Sequence, residues 1–340
     1  VNKRNLLVGV ALSVALAALL ATHFQEARQV VHTLAAGEKR WVLAAIVCQG
    51  IFFLCYATLY QTAFRAVDVS GRVRELLPVW FSSVFLNTFA PTVGPALFAD
   101  DAARRGESAA RAAAGIILVR VADNLTFLLV LMAGFLELRR HHTIHPYELL
   151  ATLILVGVVS GWLGVLLSGL WWPTGLRRLL GFVQTLTAKV WNWFRRPAPL
   201  TADWAERQAA EFTDAARLLT ANPFHLLAPL GVALTAHLVD LLSLHTLFLA
   251  FHAAVTPGVL IAGFSMGVLF WIVSITPEGV GVVESMMTLT YVSLGVAPAK
   301  AAAVTLCFRG LTYYLPLVVG ALFARRLPGL RSAETPSRPR

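Results

Sequence analysis

Two arginines, Arg120 and Arg309, stand some eight residues inside long apolar runs, where a guanidinium is out of place. At ~1.5 Å of rise per residue, each lies ~12 Å below the start of its helix. A charge at that depth costs at least ~2.5 kcal/mol on insertion scales, so it needs a partner, a wet cavity or a ligand. The planar fork of arginine grips carboxylate and phosphate alike in a bidentate fashion, so either could be the partner. Asp123, one turn beyond Arg120, is spaced for an i,i+3 pair with it. Glu278 and Glu284 flank a Pro/Gly break and are candidate partners for Arg309. His237 and Asp240 share a helix face, with His245 more than one turn further on. Ion pairs that merely hold helices together explain the same residues, and both readings stay open.

Other spacings carry less. Gly279-Val-Gly281-Val-Val-Glu284 mimics part of a dinucleotide fingerprint but has no βαβ unit around it. Asn124-Leu-Thr126 has the glycosylation pattern yet lies inside an apolar run, and His141-His142-Thr-Ile-His145 reads as an interfacial loop as readily as a metal site. Cys48, Cys55 and Cys307 sit in apolar runs without metal spacing and read as small core residues. No zincin motif, P-loop or nucleophile elbow is present, so neither a cofactor nor a metal is expected.

The elements that position these residues follow from composition. Hydrophobic residues make up 57% of the chain and charged ones 14%, against about 25% charged in a soluble domain. That excludes a soluble globule, a disordered chain and a disulfide scaffold, and indicates an integral membrane protein. The net charge of +10 does not indicate nucleic acid, because the cations sit at the ends of apolar runs rather than on a soluble face. Six stretches are long enough to cross a bilayer: 6–24, 41–64, 112–137, 148–172, 225–251 and 298–324. Two more, 75–99 and 257–294, are interrupted by Pro and Gly, with breaks at Pro91 and Gly94 and at Pro277, Gly279 and Gly281. Broken helices are tolerated at membrane depth only where protein or a cavity covers the freed backbone, so both read as re-entrant hairpins. Residues 173–224 form a polar helical insert, cytoplasmic or interfacial, whose first helix interleaves Arg177, Arg178 and Lys189 with leucines and aromatics and whose second reads as solvated. With the N-terminus inside, twenty cations fall in inside segments and five in outside ones, which places both termini in the cytoplasm.

An offset of 189 residues superimposes Gly106-Glu-Ser-Ala-Ala-Arg111-Ala-Ala-Ala on Gly295-Val-Ala-Pro-Ala-Lys300-Ala-Ala-Ala, and Arg120 on Arg309. Each copy follows a broken hairpin and opens a full span, and the orientation count runs the two spans in opposite directions. The expected fold is therefore all-α: a single polytopic membrane domain over 1–340, six full spans plus two re-entrant hairpins. The inverted-repeat halves lie at about 41–138 and 225–324, a recurrent plan of transporters.

Thr276-Pro277-Glu278-Gly279-Val-Gly281-Val-Val-Glu284, then Leu294-Gly295-Val, then Phe308-Arg309 with Tyr313-Tyr-Leu-Pro316 and Gly320, resembles the flippase-like family that supplies the transmembrane part of bacterial lysylphosphatidylglycerol synthetases. The first half is similar through Asn87, Pro91 and Arg120-x-x-Asp123. One departure is that Gly94 is followed by Pro95-Ala-Leu-Phe98, with acids only at Asp100 and Asp101. The resemblance implies movement of a polar-headed phospholipid between leaflets of a bacterial-type inner membrane. Arg120, Asp123, Glu278, Glu284 and Arg309 would lie at the headgroup, and helix N-termini near Gly94 and Gly281 would add N–H donors. Longer members carry a soluble aminoacyl-transferase domain, whereas this chain stops at Arg340 after a short polar tail, so lysyl transfer is not expected and the chain is not expected to be an enzyme. Membrane lipids are the expected partners, and Gly157 with Gly161 permits a homodimer. Two alternatives remain. An enzyme or accessory subunit of lipid modification or glycosylation would gather Asp100 and Asp101 at a headgroup. A structural scaffold would pair its arginines fully and lack a cavity.

Overall fold

A computed structural model describes residues 28–88, 93–141, 146–193, 201, 203–274 and 276–324. The expected span 6–24, Pro91, His142, His145 and the tail beyond 324 fall outside the described residues. Residues 28–36 form α1. The chain continues through α2 (Lys39–Ala66), α3 (Val73–Asn87), α4 (Val93–Arg104), α5 (Ala109–His141), α6 (Pro146–Trp171) and α7 (Pro173–Trp193). Then come α8 (Trp204–Ala221), α9 (Leu227–Ala250), α10 (Pro257–Val273), α11 (Val282–Ser293), α12 (Pro298–Arg309) and α13 (Leu315–Ala324). The described residues are helical with no strand, and five helical stretches are long and apolar enough to cross a membrane: α2, α5, α6, the stretch Pro223–Ala250 and the stretch Pro298–Ala324. α10 is apolar but shorter.

Each long helix matches an expected span to within a few residues. The last is not one regular helix, however: a π turn, Gly310–Tyr314, joins α12 to α13 immediately after Arg309. Pro78 lies inside α3 without ending it. The interruption comes later, between Asn87 and Val93.

The boundaries of the two halves keep one spacing. α4 and α11 start at Val93 and Val282 and end at Arg104 and Ser293, while α5 and α12 start at Ala109 and Pro298, each pair 189 residues apart. Gly106 and Gly295, also 189 apart, close the intervening turns with φ of +82° and +89°. Only glycine adopts that backbone without a Cβ clash.

Packing is reciprocal as well. α3 lies against α13 and α10 against α5, while α2 lies along α9. The last pair is antiparallel, since Glu38 N–H donates to Ala250 O (2.9 Å) at one end and Ser243 Oγ donates to Ala45 O (3.2 Å) further along. Apolar side chains gain little by leaving lipid, so helices associate where small residues let backbones approach. Gly320 of α13 abuts the Phe81 carbonyl of α3, and Gly134 of α5 abuts Ser265 of α10, leaving neither glycine room for a Cβ.

The polar insert departs from a freely solvated hairpin. α8 buries Ala205, Ala209, Phe212, Ala215 and Leu219 and packs on α5 and α6, and Ser108 Oγ donates to its Glu211 (2.6 Å). α7 leaves Leu179, Phe182 and Leu186 exposed, interleaved with its cations as an interfacial helix requires.

Candidate functional site

Between the broken helix pairs lies a cavity of about 170 Å³, whose walls come from α2, α3, α5, α9, α10, α11, α12 and the π turn. Arg120, Asp123, Glu278 and Arg309 all line it. Four of the five binding residues read from the sequence, far apart in the chain, thus share one chamber. Glu284, the fifth, reaches it through Arg309.

The Glu278 segment is built by backbone conformation. Glu278, Gly279 and Gly281 all have positive φ, at 52°, 68° and 82°. For Glu278 that conformation costs roughly 1–2 kcal/mol because it carries a Cβ. The turn it makes sends the Glu278 carbonyl to Arg309 Nη2 (2.8 Å) and its carboxylate away from that arginine. The carboxylate accepts instead from Trp271 Nε1 (3.0 Å) and Asn87 Nδ2 (3.1 Å). The Asn87 bond joins the end of α3 to the break after α10, so the two interruptions meet at the cavity.

Arg309 is 6% exposed and held on three sides. Its Nε donates to Glu284 Oε1 at 2.8 Å, a second nitrogen reaches the Glu278 carbonyl, and the guanidinium lies over the Tyr313 ring at 4.9 Å. The π turn contributes here. One extra residue per turn rotates Thr312 and Tyr313 onto the cavity face beside Arg309, and such bulges recur at functional sites. Glu284 is itself fixed, because its other oxygen accepts the Gly281 N–H (2.7 Å). Of the helix start near Gly281, from which N–H donors were expected, the Gly281 N–H is thus already bonded. Gly94 allows close approach of α4 to α3, since a Cβ there would meet Ser83 Oγ at 2.7 Å and Asn87 Oδ1 at 3.1 Å. Gly279 is equally closed in, against Trp271 and Val283.

Arg120 differs. Its side chain makes no hydrogen bond or ion pair among the described residues, and its nearest polar neighbours are Tyr60, Asp123, Tyr56 and Glu278. The expected pair with Asp123 does not form. That carboxylate turns to α2 and α9, accepting from Tyr56 Oη (2.9 Å) and lying 3.4 Å from His237 Nε2. His237 Nε2 also sits 3.1 Å from the Asp123 carbonyl, an acceptor, so this nitrogen carries a hydrogen. The expected shared face of His237 and Asp240 holds: both are buried and line the cavity.

Tyr56, Tyr60 and Trp80 on the wall went unnoticed in the sequence, where aromatics in an apolar run look like core. Asp100 and Asp101 pair with Arg104 (2.8 Å) and Arg105 (3.0 Å) on their own helix and do not line the cavity.

The family described as the lysylphosphatidylglycerol synthase TM region matches residues 6–320. A UPF0104 membrane protein of Pyrococcus horikoshii is 21% identical over 299 residues, covering 84% of this chain and 86% of that one. Another, from Methanothermobacter thermautotrophicus, is 20% identical over 286 residues, 82% of this chain and 83% of that one. A third, from Methanocaldococcus jannaschii, is 34% identical over 84 residues, so the match spans a quarter of each chain.

Proposed function

Since the chain belongs to the lysylphosphatidylglycerol synthase transmembrane family, we propose that this polytopic membrane protein moves a polar-headed phospholipid between leaflets. The headgroup sits in the cavity against Arg120 and Arg309. The unpaired Arg120 carries the reading. A guanidinium at that depth costs at least ~2.5 kcal/mol, no hydrogen bond or ion pair holds it among the described residues, and a phosphate would. Arg309 is the anchored member of the pair, with its direction set by Glu284 and Tyr313.

Size supports the same reading. A cavity of about 150 Å³ accommodates benzene, so about 170 Å³ suits a headgroup and not acyl chains. The tails then stay in the hydrocarbon beside the protein. The equal spacing of helix starts and the reciprocal packing favour an inverted repeat of six full spans and two re-entrant hairpins. The hairpins enter from opposite faces and meet where Asn87 bonds Glu278. In that arrangement both termini are cytoplasmic, and two copies could pair along α6, where Gly157 and Gly161 have open space beside them. Asp100 and Asp101, the acids of the enzyme reading, pair with Arg104 and Arg105 away from the cavity, so the cavity itself favours the translocation reading. A pure scaffold leaves Arg120 unexplained.

Native mass spectrometry of lipid that stays with the purified protein tests the headgroup. A phosphate-bearing lipid should be retained and should be lost in Arg120→Ala. Retention of only phosphate-free lipids, or equal retention by the variant, overturns the assignment.

A further inference from the structure

The translocation reading leaves part of the cavity unused. On the wall opposite the Glu284–Arg309 pair, α2, α5 and α9 bring Tyr56, Asp123, His237 and Asp240 together. Asp240 is 7% exposed, and its Oδ1 is buried without a hydrogen-bond partner. Gln49 lies beside it and is fully buried, with its amide nitrogen equally unpartnered. A carboxylate left in that condition is very costly, and taking up a proton is the ordinary way to relieve it.

Charge balance gives this cluster a task. Asp123, Asp240, Glu278 and Glu284 surround two cations, Arg120 and Arg309, so with every carboxylate ionised the chamber has an excess of two negative charges. Glu284 is bound to Arg309, Glu278 is bonded by Trp271 and Asn87, and Asp123 is bonded by Tyr56. Asp240 has only the Gln49 amide turned toward it, and its Oδ1 is left without a hydrogen bond of good geometry. Its titratable neighbours are Tyr56 from α2, Asp123 from α5 and His237 one turn back on its own helix, while Tyr60, Arg120 and Arg309 line the same cavity. α10 contributes no charged residue. A phosphate entering this chamber adds more negative charge, and a proton on Asp240 offsets part of it.

We propose that Asp240, with His237 and Asp123, forms a proton-loading site that couples entry of an anionic headgroup to proton uptake. This rests on the headgroup reading above. A proton from water on the loading side goes to Asp240 Oδ1, the neutral carboxyl admits the phosphate to Arg120, and the proton returns to water when the headgroup leaves. Intramembrane carboxylates and histidines grouped in this way are the usual parts of proton relays. Because binding and protonation share one chamber, each favours the other by the same free energy.

Calorimetry tests the coupling. Binding of dihexanoyl phosphatidylglycerol to the detergent-solubilised full chain is measured in buffers of different ionisation enthalpy. The slope of apparent enthalpy against buffer enthalpy counts the protons taken up. Wild type should show net uptake, and affinity should fall as pH rises. Asp240→Asn should flatten the slope, and Asp240→Glu, which retains a carboxyl in place, should restore it. Binding with no uptake, or uptake unchanged in Asp240→Asn, overturns the coupling while leaving the headgroup reading intact. Should the Asn variant fail to fold, Asp240→Glu decides, since moving the carboxyl by one methylene should shift the pH at which affinity falls, and an unshifted pH dependence overturns the assignment to Asp240. No binding at any pH overturns the headgroup reading and the coupling with it.

Discussion

At the scale of the residue, the two arginines make opposite predictions for stability. Arg309 is paired, so Arg309→Ala leaves Glu284 without its partner and should lower the melting temperature, by an amount equivalent to about 1–3 kcal/mol. A double-mutant cycle with Glu284→Gln should return a coupling energy well above the scatter expected of independent sites. Arg120 has no hydrogen bond or ion pair to lose among the described residues, so Arg120→Leu should leave the melting temperature unchanged or raise it while abolishing lipid movement. A gain in stability with a loss of function is the signature of a strained functional group. If Arg120→Leu instead unfolds the protein, Arg120 is structural. Arg120→Lys should keep the charge and still impair transport, since it lacks the planar fork. Much of this site was legible in the sequence, because charge inside an apolar run stands out wherever it occurs. Glu284 was legible too, three residues past a glycine break and so placed to cap. The fate of Asp123 was not. Its partners Tyr56 and His237 lie 67 and 114 residues away, and a local i,i+3 spacing carries no information about such distances.

Among the elements, hydropathy located the long helices, and Pro/Gly clusters located the interruptions. It could not foresee the π turn, which depends on one inserted residue in a run that stays apolar throughout. The work done by Gly94 was likewise hidden, because close approach to Ser83 is a tertiary fact. Glycine substitutions separate these contacts from bystanders. Gly320→Ala and Gly134→Ala each place a Cβ where the neighbouring helix already stands, and overpacking of this kind costs ~1–3 kcal/mol. Gly50→Ala in α2 meets nothing within 4 Å and should be neutral or stabilising by up to ~1 kcal/mol, as expected of alanine in a helix. Thermal unfolding in one detergent compares the three. Equal behaviour at all three positions contradicts the reciprocal packing.

For the whole molecule, the twenty-to-five cation count favours cytoplasmic termini, and the 189-residue offset recurs in the helix starts and in Gly106 and Gly295. In a background without Cys48, Cys55 and Cys307, Arg207→Cys on α8 should label from the cytoplasmic face and Ala297→Cys from the opposite one, as both positions are exposed. Labelling of both from one side contradicts opposed halves. The central claim is that a headgroup crosses through the chamber holding Arg120 and Arg309, and leaflet exchange measures it directly. Purified protein is reconstituted into phosphatidylcholine–phosphatidylglycerol liposomes with a fluorescent phosphatidylglycerol, and an impermeant quencher reads the outer leaflet over time. Wild type should expose inner-leaflet lipid faster than empty liposomes, and Arg309→Ala and Arg120→Leu should fall to the empty-liposome rate. Exchange by wild type no faster than by empty liposomes, across anionic, zwitterionic and aminoacylated lipids, would contradict the account, as would undiminished exchange by both variants.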